Sequence, residues 1–344
     1  MSNEINIARL DEYDDPRWNE FVLHHDAGTH FHLSQWAKIS ISVGGWEPHL
    51  LYAEIDGTIC GVLPLVHVRH HFGRGALVST PFCVSGGVLS DSADIRDCLE
   101  LAASKLAHDL DVAHLEIRQR SDPTPNWPTS DLYFTFKKSL LDSEEDNFSA
   151  IPRKQRAMVR KGIKAGLIAR NTKDLEVFYK LFSIAMRNLG TPVYPTALFI
   201  ALCREFENSL DILVIEDAGE PIAAVLSFYF RDCVLPYYAC GSPAARSVAG
   251  FDFMYWALMR ASIAKGCDSF DFGRSMRGSG AYAFKKNWGF EPQALNYQYE
   301  IIHGRGLPVK DPDASGYRLL TSIWQHLPLG IASRIGPLIS RRLY

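Results

Sequence analysis

The chain has 344 residues, 47% of them hydrophobic and 22% charged, with a formal net charge of −3. That balance excludes wholesale disorder and gives no global attraction to nucleic acid or to a membrane. The length is large for one hydrophobic core and predicts two domains. Seven cysteines (Cys60, Cys83, Cys98, Cys203, Cys233, Cys240, Cys267) form no C-x-x-C pair. Buried free thiols in a reducing compartment are therefore expected, rather than a disulfide framework or a zinc site. The N-terminal MSNEINIARLDEYDD is acidic without an apolar core, and no apolar run reaches 18 residues, so a cytoplasmic location is the default expectation.

In chain order, Ile5–Arg9 reads as a strand, and Trp18, Phe21 and Val22 form a helical stripe behind Asp14-Asp15-Pro16. Ser34 is placed to cap a short helix carrying Gln35-Trp-Ala-Lys38. His49–Ile55 and Ile59–His67 alternate as a hairpin about Gly57, followed by the basic loop Arg69–Gly75 and a strand at Ala76–Ser79. Ala93–Leu110 has helical spacing, Ala113–Arg118 and Tyr133–Lys138 read as strands, and Asp122–Pro128 is turn-rich. The charged segment Leu141–Asn147 looks like a joint.

The second half repeats that order. A basic helix (Arg153–Ala165) precedes Leu167–Arg170, helices over Leu175–Leu189 and Thr196–Glu207, and a hairpin of Ile212–Glu216 with Pro221–Phe230. Then come a strand (Val234–Ala239), a small-residue loop (Cys240–Gly250), a helix (Phe251–Lys265) and a strand (Ser269–Gly273). Two copies of hairpin, strand, small-residue loop, amphipathic helix and strand predict tandem α/β domains with mixed sheets. The expected blocks are 1–146, 147–305 and a tail, 306–344. In that tail Leu307–Asp313 is linker-like, and Tyr317–Leu343 is an apolar, basic-ended amphipathic helix broken at Pro328. It reads as a terminal helix docked on its own protein, with a peripheral membrane contact as the sharper alternative.

Several constellations carry chemistry. A strand giving way through small residues to a helix leaves unpaired N–H groups at the helix start, suited to a phosphate or a developing oxyanion. Arg153, Arg156, Arg160 and Lys164 fall within ~80° on one helix side at 100° per residue. Such a face is either solvated and paired with the acids before it or a site for phosphates of a nucleotide or a tRNA acceptor end. Phe284-Lys285 beside the Gly/Ser loop Ser275–Gly280 could hold a phosphate or an acyl carbonyl, against the plainer reading of a surface lysine. The histidines at 24/25, 30/32 and 67/70/71 lack zinc-motif spacing, so no metal site is expected. Stacked-aromatic RNA-reading signatures and a Gly-x-Ser-x-Gly elbow are both missing, and no DNA partner is expected.

Arg246-Ser-Val-Ala-Gly250 loosely resembles the pyrophosphate loop of GNAT acyltransferases. Gln35-Trp-Ala-Lys38, the Arg-x-x-x-Arg-Lys rhythm of the basic helix, Tyr237-Tyr-Ala-Cys-Gly-Ser242, Phe270-Asp-Phe-Gly273 and Phe284-Lys-Lys-Asn-Trp-Gly-Phe290 resemble the Fem family of aminoacyltransferases. Leu115-Glu-Ile-Arg118 and Met186–Tyr194 are similar to FemAB-like proteins associated with exosortase and exopolysaccharide systems. The resemblance implies two tandem GNAT-like domains. It also implies transfer of an acyl or aminoacyl group, from aminoacyl-tRNA or acyl-CoA as co-substrate, to an amine or hydroxyl of an envelope, peptidoglycan or exopolysaccharide precursor. No tightly bound cofactor is implied.

Carried over by position, Trp36 and Lys38 would touch a nucleotide-linked acceptor, Tyr238 or Tyr237 would line the acceptor channel, and Phe284 with Lys285 would sit at the donor. Arg153, Arg156, Arg160, Tyr194 and Arg274 join the expected substrate contacts. Glu116, with Arg118, is the candidate to orient or deprotonate the acceptor, against the plainer reading of an internal ion pair on a strand, making Lys285, Glu116 and Tyr238 the expected catalytic set. Tyr194 and Phe199 stand where bridge-forming members place a diphosphate-binding Arg and a Tyr, and the coiled-coil arm of some members is missing. An acyl-CoA-dependent N-acyltransferase and a non-catalytic sugar-nucleotide-binding envelope module are the alternatives.

Overall fold

The computed structural model describes residues 4–69, 73–120, 127–304, 306–308 and 315–340. The centre of the expected basic loop (70–72), residues 122–126 of the turn-rich segment, 309–313 of the linker and the terminal arginines at 341 and 342 lie outside the described residues. The chain divides into two compact units.

The first unit holds 1–133 and 294–310. Its elements are β1 (Asn6–Arg9), α1 (Pro16–His24), α2 (Gln35–Gly44), β2 (Glu47–Ile55), β3 (Thr58–Val68), β4 (Ala76–Ser79), β5 (Leu89–Ser90), α3 (Ala93–Asp109), β6 (His114–Gln119) and β7 (Thr129–Ser130). The sheet runs β1-β2-β3-β4-β6, then the strand Asn296–Ile301, then β7, with β5 paired to β3. Among the described residues only β4 and β6 pair in parallel, so the sheet is mixed. The β2–β3 turn places Asp56 and Gly57 at φ 50° and 79°, the left-handed pair that matches strand twist in a two-residue hairpin. Ile95, Leu99, Ala103 and Ala107 of α3 pack with Leu63, Leu65, Leu77 and Leu115 of the sheet. Ser34 does not cap α2; its N–H donates to Asn19 Oδ1 (3.0 Å) and its Oγ accepts from Asn19 Nδ2 (3.1 Å).

The second unit holds 134–293 and 311–343. It contains β8 (Tyr133–Ser139), α4 (Glu144–Ala150), α5 (Arg153–Lys164), β9 (Ile168–Thr172), α6 (Leu175–Leu189), α7 (Thr196–Glu205), β10 (Leu210–Asp217), β11 (Glu220–Phe230) and β12 (Cys233–Gly241). After these come α8 (Pro243–Ser247), α9 (Gly250–Ala264), β13 (Ser269–Asp271), β14 (Ser275–Met276), α10 (Gly280–Asn287) and β15 (Pro292–Ala294). The strand Asn296–Ile301, which pairs in the first unit, is β16; the tail forms α11 (Ser315–His326) and α12 (Leu329–Ser340). The sheet order is β14-β8-β13-β12-β11-β10-β9, with β15 on β8. Ala218 and Gly219 repeat the left-handed pair at the β10–β11 turn (φ 50° and 87°).

These units differ from the expected blocks 1–146, 147–305 and 306–344. Phe136 of β8 is buried in the second core, with Val159, Met254, Trp256, Phe270 and Trp288, so residues 134–146 belong to the second unit. The tail is not a separate piece either: α11 and α12 pack on α6, and Ser340 Oγ donates to the Val193 carbonyl at 2.8 Å. All seven cysteines are free thiols; Cys60, Cys83 and Cys240 are buried and the other four are half-buried.

Candidate active site

The second unit's cleft lies along the end of β12, beyond the residues that β13 pairs with it. β12 pairs in parallel with β13 only at Cys233↔Ser269 and Val234↔Phe270, then runs on to Gly241 past the end of its neighbour at Asp271. Among the described residues, no strand pairs with that edge beyond Val234. The polypeptide then turns through α8, a single helical turn where the sequence predicts a loop, and enters α9. Ala249 is the junction, buried and held at φ 60°. Small residues permit the close approach: a Cβ on Gly241 would lie 2.7 Å from Phe251 Cζ, and one on Gly250 would lie 3.1 Å from Ala245.

The resulting cleft has a volume of about 940 Å³. Its walls include Ala239–Pro243 from the end of β12, Ala249, Phe251 and Asp252 from the start of α9, and Phe284 of α10. The first turn of α9, with backbone N–H groups that have no partner within the helix, thus borders a cavity of ligand size.

Two ionisable side chains of α9 line it, Asp252 and Tyr255. Asp252 is 7% exposed, and its Oδ1 accepts from Trp288 Nε1 at 3.1 Å. Burial raises its carboxyl above the ordinary carboxylate range, with the Trp288 hydrogen bond working the other way. Burial likewise pushes the Tyr255 phenol up, so it keeps its proton at neutral pH. Residues three apart on a helix share a face. A proton acceptor and a proton donor therefore stand together on one wall. Neither was legible as a site residue: Asp252 is an isolated polar residue at the start of a largely apolar helix, and Tyr255 reads as core.

Lys285 is buried in α10. Nζ donates to the carbonyls of Phe272 (2.7 Å), Gly273 (2.9 Å) and Arg274 (3.2 Å), and lies 5.5 Å from the centre of the Phe136 ring. Burial lowers its pKa from 10.5 to about 7, opposed by Asp271 and reinforced by Arg274. All three ammonium protons have a carbonyl partner, so the side chain clamps the turn after β13. Asp271 fixes the same turn, accepting from Gly273 N–H at 2.8 Å and Thr135 Oγ1 at 2.9 Å. Phe284 is on the cleft wall, whereas Lys285 and Tyr238 are not among the lining residues.

The other expected site residues separate by environment. Tyr238 and Tyr194 are half-buried in an aromatic cluster with Phe182 and Phe199, and Tyr237 sits edge-on to Tyr238 at 4.8 Å. Arg274 is exposed at the clamped turn. On α5, Gln155, Val159 and Gly162 face inward while Arg153 and Arg160 are exposed and Arg156 is half-buried. None of the helix's six cations forms an ion pair with a described carboxylate; Glu144 pairs instead with Arg260, and Arg160 lies 5.1 Å over the Phe148 ring. The pairing with acids 141–146 expected of a merely solvated helix is therefore missing among the described residues, and Met158 brings α5 to the cleft wall.

In the first unit, Trp36 is only 1% exposed, and its indole donates to the His30 carbonyl at 3.0 Å. A ring so enclosed offers no surface to an acceptor, which corrects the expected contact. Lys38 is paired with Asp14. Glu116 and Arg118 form a buried ion pair (2.7 Å), and Arg118 also donates to the Cys83 carbonyl at 2.8 Å. This is the internal pairing that two opposite charges on alternate strand residues favour, and it leaves the carboxylate neutralised by its neighbour.

One metal-ligating grouping occurs among the described residues. Glu47 and His49 of β2 converge with His67, the cross-strand partner of Glu47. Arg9 donates to His49 Nδ1 at 3.1 Å and Arg69 pairs with Glu47, so two guanidinium groups oppose a dication there.

Residues 149–286 match the family of the acetyltransferase (GNAT) domain. The fold is that of two tandem GNAT-like units, and its similarity to solved structures is extensive. FemX matches at TM-score 0.67 and 13% identity, covering 85% of this chain and 96% of its own. The C-terminal domain of a protein named as a lysylphosphatidylglycerol synthetase from Agrobacterium fabrum matches at 0.57 and 12%, covering 84% and 91%. A tandem GNAT protein from the clavulanic acid biosynthesis pathway matches at 0.53 and 13%, covering 88% and 100%. At such identities the likeness is one of fold. No curated protein matches in sequence.

Proposed function

We propose that the second unit transfers an acyl or aminoacyl group to an amine or hydroxyl of a cell-envelope or exopolysaccharide precursor. The observation that carries this reading is the cleft bordered by the start of α9, with a buried carboxyl of raised pKa and a protonated phenol on one wall. The acceptor's nitrogen or oxygen attacks the donor carbonyl. Its new bond to carbon forms as the donor's ester or thioester bond breaks. Asp252 takes the acceptor's proton, and Tyr255 gives one to the departing oxygen or sulfur. Backbone N–H groups at the start of α9 stabilise the oxyanion or the donor's phosphates. Lys285 is a positioning residue that acts through the 272–274 turn.

The cations of α5 without carboxylate partners favour a polyanionic donor, aminoacyl-tRNA before acyl-CoA. Tyr237, Tyr238, Tyr194 and Arg274 remain candidates for substrate contact, and the buried Glu116–Arg118 pair serves the first unit's structure. The test is incubation of purified protein with labelled aminoacyl-tRNA or acyl-CoA and a panel of amine and hydroxyl acceptors. Label passing to an acceptor supports the reading. Thermal stabilisation by a sugar nucleotide, with no label transferred from either donor, would favour the non-catalytic binding module.

A further inference from the structure

The tail helix α12 is turned inside out. The face it docks is small: Ala332, Gly336 and Ser340 are buried, and a Cβ on Gly336 would lie 2.8 Å from Val193 Cγ1. The face it leaves outside is large and aliphatic. Ile331, Ile335, Leu338 and Ile339 recur at i, i+4, i+7 and i+8 and are 45%, 42%, 63% and 38% exposed. Arg334 lies exposed within that stripe. On the preceding helix α11, Leu320 and Ile323 are exposed as well. A helix docked for stability alone would bury its large residues and expose its polar ones.

Charge says what covers this face. Residues 315–344 contain four arginines (318, 334, 341, 342) and no lysine, aspartate or glutamate, a net +4 in a chain of net −3, which leaves −7 on residues 1–314. A second copy of the chain is a poor occupant. Twelve helical residues span ~18 Å, and with a stripe ~10 Å wide the face offers about 180 Å², against the ~800 Å² per partner of a stable interface. An anionic bilayer asks for much less. An interfacial helix sinks its aliphatic side chains into the headgroup boundary, while arginines stay at phosphate level and are drawn there by the negative surface.

We infer that α12 seats the protein on an anionic lipid surface. α11, which precedes α12 in the chain and also packs on α6, contributes Gln325 and His326 to the wall of the cleft, so a bilayer on this face lies near it. The inference does not depend on the transferase reading. It is tested with the full chain by co-sedimentation with vesicles of phosphatidylcholine alone or mixed with phosphatidylglycerol. Wild type is expected to bind the mixed vesicles at least ~10-fold better, with binding falling as salt is raised. Ile335→Ser/Leu338→Ser is expected to lower that binding ~10-fold or more with an unchanged melting temperature, since both side chains are exposed. Arg334→Glu provides a second variant, expected to weaken binding to the mixed vesicles only. Wild type failing to sediment with mixed vesicles, or the double variant binding as wild type does, would overturn the inference. So would a dimer in size-exclusion chromatography that the double variant dissociates.

Discussion

Replacing Asp252 by Asn separates chemistry from structure at the proposed site. The amide keeps an oxygen for the Trp288 N–H, a hydrogen bond of about 1 kcal/mol net, and keeps the shape of the side chain. It removes the proton acceptor, whose contribution to the rate is about 10²–10⁴-fold. The stability effect has the opposite sign. Asp252's folded pKa is raised above 3.8, so its ionised form destabilises the fold; that cost is absent well below pH 4 and is complete above the folded pKa. Asp252→Asn is therefore expected to lose at least ~10²-fold in transfer rate at neutral pH, with a melting temperature equal to or above wild type. The difference in melting temperature should shrink as pH falls toward 4. The pair of assays is single-turnover transfer of labelled donor and thermal denaturation across pH. Unchanged transfer would remove Asp252 from the mechanism. A lower melting temperature at neutral pH would make it a structural residue.

Other substitutions probe the surrounding framework. Lys285→Met should change how stability depends on pH: with a folded pKa of about 7 against 10.5 unfolded, the wild-type fold gains stability as pH rises through that window, and the variant loses this slope in urea titrations. Gly162→Val should cost ~1–3 kcal/mol in denaturant unfolding, because a Cβ there would stand 2.7 Å from Phe253 Cβ where α5 meets α9. Reversing Arg153 and Arg160 to Glu on α5 should weaken binding of aminoacyl-tRNA and flatten its salt dependence by ~0.7–0.9 in log–log slope per lost phosphate contact, while leaving the melting temperature near wild type. A salt slope equal to wild type would remove this face from the donor site.

Much of this architecture was readable from side-chain periodicity and turn chemistry. The expected helix Phe251–Lys265 is α9, Gly250–Ala264, because Met254, Tyr255, Leu258 and Met259 mark one buried face. Both hairpins were visible through Asp56-Gly57 and Ala218-Gly219, where the turn demands left-handed backbone. What escaped depends on distant partners. β8 joins the second sheet through Phe136 and the pairing with β13, which no local pattern announces, so the expected domain boundary falls late. α8 is one turn of Pro-Ala-Ala-Arg-Ser and reads as loop by composition. Trp36 looked accessible only because its enclosure beside the His30 carbonyl is not written in the local sequence, whereas the alternate placing of Glu116 and Arg118 on one strand already offered the internal ion pair beside the catalytic reading. Asp252 acquires meaning from Trp288, 36 residues away, and from the end of β12 that extends beyond its pairing with β13.

The central claim is that the acyl donor occupies the cleft at the start of α9. Photo-crosslinking with an aminoacyl-tRNA or acyl-CoA carrying a diazirine on the acyl group, followed by peptide mapping, tests it most directly. Adducts are expected on Ala239–Ser242, Phe251 or Phe284, competed away by unmodified donor. Specific, competable adducts confined to residues 1–133 would contradict it.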